Sequence, residues 1–287
     1  MQPVRIAAVR YLNTAPLVEG LEHVHGLTLV PTVPSRIAPM VVSGEADIGL
    51  ASIIDGANPD LTLLPAGMIG CDGPTLTVRL FSTVPWTMVA ELCADTDSHT
   101  SVVLAQLILR HRFGVSPRVR AFDARERVAI SSPAPTTRLD EAWPQTLLLI
   151  GDKVVTDSPP AVRYPHQLDL GEAWKEWTGL PFVYATWMCR TADLQESASR
   201  ERIQTAASLL ERQRMHNSTR LDWIVQTRAP NSRWPMDLAR RYLGSLLRYQ
   251  VGDREREAAA RFLTLAHEAG FTKTSDSNWA PSAAPVG

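Results

Sequence analysis

The chain has 287 residues, of which 45% are hydrophobic, so it can bury a core large enough for one domain or for two lobes. Its 29 basic and 30 acidic residues give a formal net charge of −1, so no global field would draw the protein to nucleic acid or to an anionic membrane. The three cysteines, Cys71, Cys93 and Cys189, are widely spaced and form no C-x-x-C pair, which argues against a disulfide framework or a zinc site.

The N-terminal segment favours a cytoplasmic protein. From Met1 the chain runs directly into the apolar segment Val4–Val9, without the basic, apolar and cleavage-site succession of a signal peptide. No apolar stretch approaches the roughly 20 residues that would span a bilayer. We therefore expect a soluble, cytoplasmic protein with neither nucleic acid nor membrane among its partners, and the sequence leaves its oligomeric state open.

The first half of the chain predicts two α/β units in succession. Over the first fifty residues, apolar runs alternate with amphipathic segments, which predicts strands near 4–9, 27–33 and 46–51 and helices near 16–21 and 35–43. After a strand near 78–82 the pattern restarts, with strands near 89–94, 118–122 and 147–150 and a helix near 99–113. The restart predicts a second α/β lobe.

The predicted elements imply a chain that leaves the first lobe and returns to it. We expect residues 1–84 and 188–272 to form the first lobe and residues 85–187 the second, with crossing strands near 83–85 and 182–187 acting as a hinge. The C-terminal helices predicted from Ser199 onward should pack on the first lobe. The tail at 273–287, rich in Ser, Pro and Ala, is expected to be flexible.

Polar residues directly after the predicted strands are the candidate ligand contacts, because ligands of open α/β sheets bind beyond the carboxyl ends of strands. Tyr11, Asn13 and Thr14 lie between the first strand and a helix N-terminus that could hold an anion. Asn13 and Thr14 could equally be no more than helix caps. Ser52 offers a hydroxyl at the end of the third strand.

Two further candidates fall in the second predicted lobe. Ser98, His99, Thr100 and Ser101 open its strongest helix and could form a carboxylate cradle, although an N-cap alone would also explain a polar residue there. Gly151-Asp152 ends a buried strand, where Asp152 could bind a ligand, orient a donor or cap the next helix.

Motifs for several common functions are absent from the sequence. It contains no H-E-x-x-H, Walker A, G-x-G-x-x-G or G-x-S-x-G motif, which argues against metalloprotease, P-loop, dinucleotide-binding and α/β-hydrolase functions. The His23-x-His25 pair lies in a predicted turn without further ligands, so we expect no metal site. These residues by themselves predict a hinged two-lobe protein that binds a small anion.

Five sequence blocks then resemble, in order, the MqnA-type chorismate dehydratases. The last block is the longest and the most specific, and the resemblance fades in the C-terminal helices. The blocks are Tyr11–Leu17, Gly70–Pro74, Ser98–Val102, Ile150–Asp152 and Asp169–Ala185. The sequence departs from the family at Ile54-Asp55, where many members carry Glu or aromatic residues, and at His99, where the motif usually has Arg.

The resemblance implies an α/β fold of the two-lobed, type-II periplasmic-binding-protein kind. It also implies an enzyme, a hydro-lyase that converts chorismate to 3-[(1-carboxyvinyl)oxy]benzoate and water in the first step of the futalosine route to menaquinone. No metal or nucleotide cofactor is implied. Two other functions stay open: a non-catalytic solute-binding protein for a small carboxylate, and the cyclic-futalosine-converting synthase of the same fold.

A reaction scheme follows from the chemistry of chorismate. Donors around the ring carboxylate would stabilise charge as the C3 proton leaves, which predicts an E1cB-like elimination. No obvious base is present among the candidate residues, so we take the substrate's own enolpyruvyl carboxylate as the proton acceptor. In this hypothesis Asn13 is the catalytic residue that orients the ring and the departing hydroxyl. Carboxylate binding falls to Ser98, Thr100 and Ser101, and Ser52 completes the pocket.

Overall fold

A computed structural model of the chain describes residues 3–95, 99–122 and 143–281. Within these residues the strands are β1 (Val4–Ala8), β2 (Leu27–Pro31), β3 (Ile48–Ser52), β4 (Leu61–Cys71), β5 (Val78–Ser82), β6 (Glu91–Asp95), β7 (Arg118–Phe122), β8 (Thr146–Ile150), β9 (His166–Asp169), β10 (Phe182–Arg190) and β11 (Leu247–Arg248). The helices are α1 (Ala15–Val18), α2 (Pro34–Ser43), α3 (His99–Phe113), α4 (Lys153–Thr156), α5 (Leu170–Thr178), α6 (Ser197–Ser218), α7 (Leu221–Arg228), α8 (Met236–Arg241) and α9 (Asp253–Glu268). A π-helical turn, Tyr242–Leu246, follows α8.

The described strands form two separate sheets. One sheet has six strands in the order β11-β4-β10-β3-β1-β2, and the other has five in the order β7-β6-β8-β5-β9. In the first sheet β1 pairs in parallel with β2 and β3, whereas β10 runs antiparallel to β3 and β4. The predicted β-α-β-α-β beginning is therefore present, because its apolar runs become the parallel strands β3, β1 and β2 on one side of this sheet.

The strands on either side of the predicted lobe boundaries are divided between the two sheets. β5 falls within the predicted first lobe but pairs with β8 and β9, so it belongs to the second sheet. β10 starts within the predicted second lobe and pairs along its length with β3 and β4 of the first. Segments 72–77 and 170–181 are the chain crossings between the two sheets. Strand alternation reveals which face of a strand is buried but not which strand lies alongside, so the sequence could not assign β5 to a sheet.

The C-terminal helices pack mainly on the first sheet. The apolar stripe of α6, with Ile203, Ala206 and Leu210 fully buried, lies in one core with Leu64 of β4 and Trp187 of β10. Phe262 of α9 packs edge-on against Trp174 and Phe182, where the chain returns from the second sheet. None of the helices in the described part of the chain is long and apolar enough to cross a membrane.

Part of the predicted flexible tail is held against the first sheet. Leu63 of β4 donates its amide to Asn278 and accepts the amide of Ala280, both at 2.8 Å, so residues 278–280 run alongside the strand. The rest of the predicted tail, residues 282–287, lies outside the described residues. The division into two lobes at 84/85 and 187/188 and the motion of a hinge stay predictions.

The buried carboxylate of Asp169 holds both crossings together. It accepts the amides of Thr75 and Leu76 at 2.9 and 2.7 Å, and those of Gly171 and Glu172 at 3.0 and 3.2 Å. Leu76 has a φ of 72°, a strained value for a residue with a side chain, so its conformation needs such an anchor. The two crossing segments lie so close together that residue 171 must be glycine, because a Cβ there would collide with Thr75, Cys71 and Gly73.

We expect Asp169→Ala to lower the free energy of unfolding by about 3 kcal/mol, because four backbone N–H groups would lose their acceptor. Urea unfolding followed by circular dichroism measures the change. Asp237→Ala is the matched control, since that carboxylate is 99% exposed and pairs only on the surface with Arg240, so its effect should stay within about 0.5 kcal/mol. Equal effects of the two substitutions would contradict this account of the crossings.

Candidate functional site

A cavity lies where the two sheets and the C-terminal helices meet. Its wall includes Tyr11 and Asn13 after β1, Ser52 at the end of β3 and Gly151 after β8, which are the strand ends that the sequence singles out. Ser101 in the first turn of α3 adds a hydroxyl close to the N-terminus of a 15-residue helix. Five of the ten predicted site residues therefore line one cavity, as expected for a ligand site at the carboxyl ends of strands.

Four other predicted residues, Thr14, His99, Thr100 and Asp152, do not line this cavity, and their side chains make contacts within the protein. Thr14 donates its hydroxyl to the carbonyls of Val9 and Tyr11, at 3.0 and 2.7 Å, and so stabilises the turn after β1. Thr100 accepts the amide of Ile54 at 3.3 Å. Ser98 lies outside the described residues. Roles for these residues in ligand binding stay predictions.

Asp152 ties together three separate parts of the chain. Its carboxylate accepts the Leu12 amide at 3.4 Å and the indole N–H of Trp234 at 3.0 Å. Burial raises the pKa of Asp152, and these two hydrogen bonds oppose the rise. Of the three roles that the sequence left open, the contacts favour orientation of neighbouring groups: Asp152 positions the residue that precedes Asn13.

The cavity is neutral and rich in hydroxyl groups. None of the described residues on its wall carries a formal charge. Asn13 contributes a carbonyl oxygen, Oδ1, that is buried and has no hydrogen-bond partner among the described residues. A buried acceptor without a donor is costly, so this atom is matched to a donor that a ligand would bring.

Four hydroxyl-bearing wall residues were not predicted as site residues. Thr75 and Tyr184 hydrogen-bond each other at 2.7 Å, and Thr77 and Tyr242 do so at 2.6 Å. Thr75 and Thr77 follow the Gly70–Pro74 block, and Tyr184 lies inside the last block, so the blocks carried a signal for three of them. Tyr242 had none, because it lies far along the chain in a helical region.

A larger cleft among the C-terminal helices does not contain the predicted residues. It has a volume of about 450 Å³, against about 80 Å³ for the cavity between the sheets, and Arg214, Arg248 and Tyr249 lie on its wall. None of the candidate residues after the strands reaches it. Size therefore does not identify the site here, and the position at the strand ends does.

Within the described residues, no group of three or more His, Cys, Asp or Glu side chains could hold a metal ion.

Comparison with known proteins places the chain in a family. Residues 4–268 match the family model described as menaquinone biosynthesis. The chain belongs to this menaquinone biosynthesis family. A relative from Thermus thermophilus, named chorismate dehydratase, is 30% identical over 206 residues, which cover 66% of this chain and 71% of the relative.

Solved structures establish the fold class. A protein from Archaeoglobus fulgidus aligns with a TM-score of 0.69 at 16% identity, covering 93% of this chain and 98% of that protein. A Candida albicans protein, described as having the generic periplasmic binding protein fold, aligns with a TM-score of 0.61 at 13% identity over 100% of this chain and 99% of its own. The two-lobed, type-II periplasmic-binding-protein-like α/β fold that the sequence predicts is confirmed.

An ion pair joins the first residue of α3 to the segment that follows β3. His99 Nδ1 lies 3.7 Å from Asp55 Oδ1, and the hydrogen bond with Asp55 raises the pKa of His99 above its ordinary 6.5 while burial opposes the rise. The histidine is half exposed, which limits the energy of the pair. Protonation of His99 therefore strengthens a contact between α3 and the segment after β3.

We expect this pair to stabilise the folded protein fully below pH 6.5 and to lose that contribution as pH rises through the raised pKa of His99, because only the imidazolium attracts Asp55. An NMR titration of the His99 ring should give a pKa above 6.5 in the wild type and a lower one in Asp55→Asn. The same His99 pKa in both proteins would show that the pair does not form in solution.

Proposed function

We propose that this protein is a chorismate dehydratase, a hydro-lyase that converts chorismate to 3-[(1-carboxyvinyl)oxy]benzoate and water. Membership of the menaquinone biosynthesis family and the Thermus thermophilus relative support the substrate and the reaction. The reaction would be the first step of the futalosine route, carried out in the cytoplasm without a metal or nucleotide cofactor.

The observation that carries the proposal is the cavity whose described wall is uncharged and on which Oδ1 of Asn13 has no hydrogen-bond partner among the described residues. Chorismate has one alcohol, the C4 hydroxyl that must leave, and it can donate a hydrogen bond to this acceptor. Its two carboxylates need donors, which the wall provides as the hydroxyls of Ser52, Ser101 and Tyr11 and the amides near the start of α3. Donors and acceptors of cavity and substrate are therefore complementary.

An E1cB-like elimination suits such a wall. The C3 proton is removed first, and the electron pair left behind is delocalised through the ring double bond toward the ring carboxylate. Hydrogen bonds to that carboxylate would stabilise the dienolate-like charge. The pair then expels the C4 hydroxyl, which takes up the proton removed from C3 and leaves as water, and the ring becomes aromatic.

The proton acceptor in this scheme is the substrate's own enolpyruvyl carboxylate. This assignment is supported by the abundance of neutral hydroxyl groups on the described wall, where no histidine or carboxylate side chain is present to act as the base. Asn13 would hold the departing hydroxyl, and Ser101, with Ser98 and Thr100 nearby in sequence, would hold a carboxylate. Gly151 would let the ligand approach the backbone, and closure would exclude water.

The direct test is incubation of purified, metal-chelated protein with chorismate, followed by chromatography and mass analysis. We expect loss of chorismate and formation of the enolpyruvyl benzoate at a rate proportional to protein concentration. Saturable binding without product would favour a solute-binding function, and the absence of both would favour the futalosine-converting synthase.

Asn13→Ala should lower kcat by about 10²- to 10³-fold, the usual cost of losing a group that orients charge in the transition state. Its free energy of unfolding should change by less than about 1 kcal/mol, because Oδ1 has no partner to lose among the residues that the structure describes. Steady-state kinetics and urea unfolding measure the two effects. Asn231→Ala is the matched control, because it removes an exposed amide that donates to the Thr227 carbonyl of α7 at 3.2 Å. An unchanged kcat in Asn13→Ala would show that the reaction does not take place at Asn13.

A chorismate analogue that lacks the enolpyruvyl carboxylate should bind without being dehydrated, because it carries no internal base. Calorimetry measures its binding, and the chromatographic assay measures its conversion. Turnover of this analogue at the rate of chorismate would contradict substrate-assisted proton transfer and require a base on the protein.

A further inference from the structure

The chain beyond α9 is attached to the first sheet at two points. Residues 272–280 are called the C-terminal strap here. The hydroxyl of Thr274 donates to the carbonyl of Ala57 at 2.9 Å, which is the first anchor. The backbone of residues 278–280 pairs with Leu63 of β4 through two hydrogen bonds of 2.8 Å, which are the second anchor.

The ring of Trp279 holds the same strap against α9. The guanidinium of Arg256 lies over the indole ring, 5.1 Å from its centroid, and such a cation is attracted by the face of the ring. The other contacts of the ring are with the apolar core that contains Phe262 of α9. The strap therefore connects α9 with the first sheet.

Both anchors reach one short turn of the chain, the 3₁₀ turn Ile53–Ala57 that follows β3. Ala57 is its last residue and accepts the Thr274 hydroxyl. Leu63, which pairs with the strap, packs its side chain on Gly56, because a Cβ added at position 56 would lie 3.1 Å from Leu63 Cδ1. The strap thus supports this turn directly at Ala57 and indirectly through Leu63.

The same turn contacts the first turn of α3, the helix that follows the second sheet's strand β6. The amide of Ile54 donates to Thr100 Oγ1 at 3.3 Å. Asp55 Oδ1 lies 3.7 Å from His99 Nδ1. These two contacts join the end of β3 in the first sheet to the start of α3.

Two residues of the cavity wall flank this junction. Ser52 directly precedes the turn, and Ser101 directly follows Thr100 in α3. Both line the cavity. The position of one hydroxyl relative to the other therefore depends on how the turn lies against α3.

We propose that the C-terminal strap positions the Ile53–Ala57 turn against α3 and so sets the separation of the Ser52 and Ser101 hydroxyls across the substrate cavity. The inference rests on the proposed dehydratase function and deepens it, because it assigns positioning residues that lie outside the cavity. Without its anchors the turn can move away from α3. A displacement of about 1 Å is enough to weaken the binding of a substrate that both hydroxyls contact.

Thr274→Val tests the first anchor, because it removes the hydroxyl and keeps nearly the same volume. We expect KM for chorismate to rise about three- to tenfold while kcat changes by less than about twofold, since Ser52 and Ser101 are proposed to bind substrate carboxylates. Thr274→Ser keeps the donor and should have the wild-type KM within about twofold.

Thr264→Val is the matched control for these kinetics. The Thr264 hydroxyl is exposed on α9 and donates to a carbonyl of its own helix at 3.0 Å, so the KM of this variant should equal that of the wild type. A wild-type KM in Thr274→Val would overturn the proposal, and so would the same rise of KM in Thr264→Val.

Ala280 provides a second pair of variants, which tests the other anchor and remains if Thr274→Val does not fold. Ala280→Pro removes the amide that donates to the Leu63 carbonyl, whereas Ala280→Ser keeps it. KM should rise about threefold or more in the proline variant and stay within about twofold of the wild type in the serine variant. Equal KM values in the two variants would overturn the role of the second anchor.

Amide hydrogen exchange measures the position of the turn independently of turnover. The Ile54 amide, which donates to Thr100, should exchange about tenfold faster in Thr274→Val than in the wild type. The amide of Leu148 in β8, which has strands on both sides, should exchange at the same rate in both proteins. This comparison separates a local change from a general loss of stability, which would accelerate both amides.

Unchanged exchange of the Ile54 amide in Thr274→Val would overturn the proposal, and so would equal acceleration of the Ile54 and Leu148 amides. If the wild-type protein does not convert chorismate, the proposed function fails. The exchange measurement still decides whether the strap positions the turn.

Discussion

Asp169 connects the two chain crossings through one buried carboxylate. Because it caps α5 and also accepts the amides of Thr75 and Leu76, the outgoing and returning segments share a single anchor. Four N–H groups solvate the charge in place of water, so the carboxylate can be buried. Thr75 and Thr77 face the cavity from this anchored segment, and the shape of the site therefore depends on it.

The charged side chains close to the sheets are engaged in contacts of their own. Asp47 pairs with Arg5 and Arg202, both at 3.0 Å, and its pKa is lowered by their hydrogen bonds although its burial works in the opposite direction. Lys153 lies 2.5 Å from the buried carboxylate of Asp95. The polar side chains on the wall of the cavity are hydroxyls and one amide, set among apolar residues such as Leu50 and Ile69, and they act through fixed dipoles rather than mobile ions.

The C-terminal region completes the site that the sheets begin. Trp234 and Tyr242 come from the segments around α8, yet they contact Asp152 at the end of β8 and Thr77 beside β5. The C-terminal region therefore covers the first sheet and also contributes to the cavity wall. The fold is shared with binding proteins, whereas the site depends on the side chains that this region adds.

The sequence alone determined the β-α-β-α-β beginning of the first sheet, the family, the positions of Asn13, Ser52 and Gly151 after strands, and that of Ser101 in the first turn of a helix. These follow from local patterns, since burial on one face and turns at strand ends are encoded within a few residues. Only the tertiary structure decided the sheet to which β5 belongs, the roles of Asp169 and Asp152, and the pairing of Thr77 with Tyr242, 165 residues apart in the chain. Such contacts depend on which surfaces meet after folding, and no local periodicity in a single sequence records that choice.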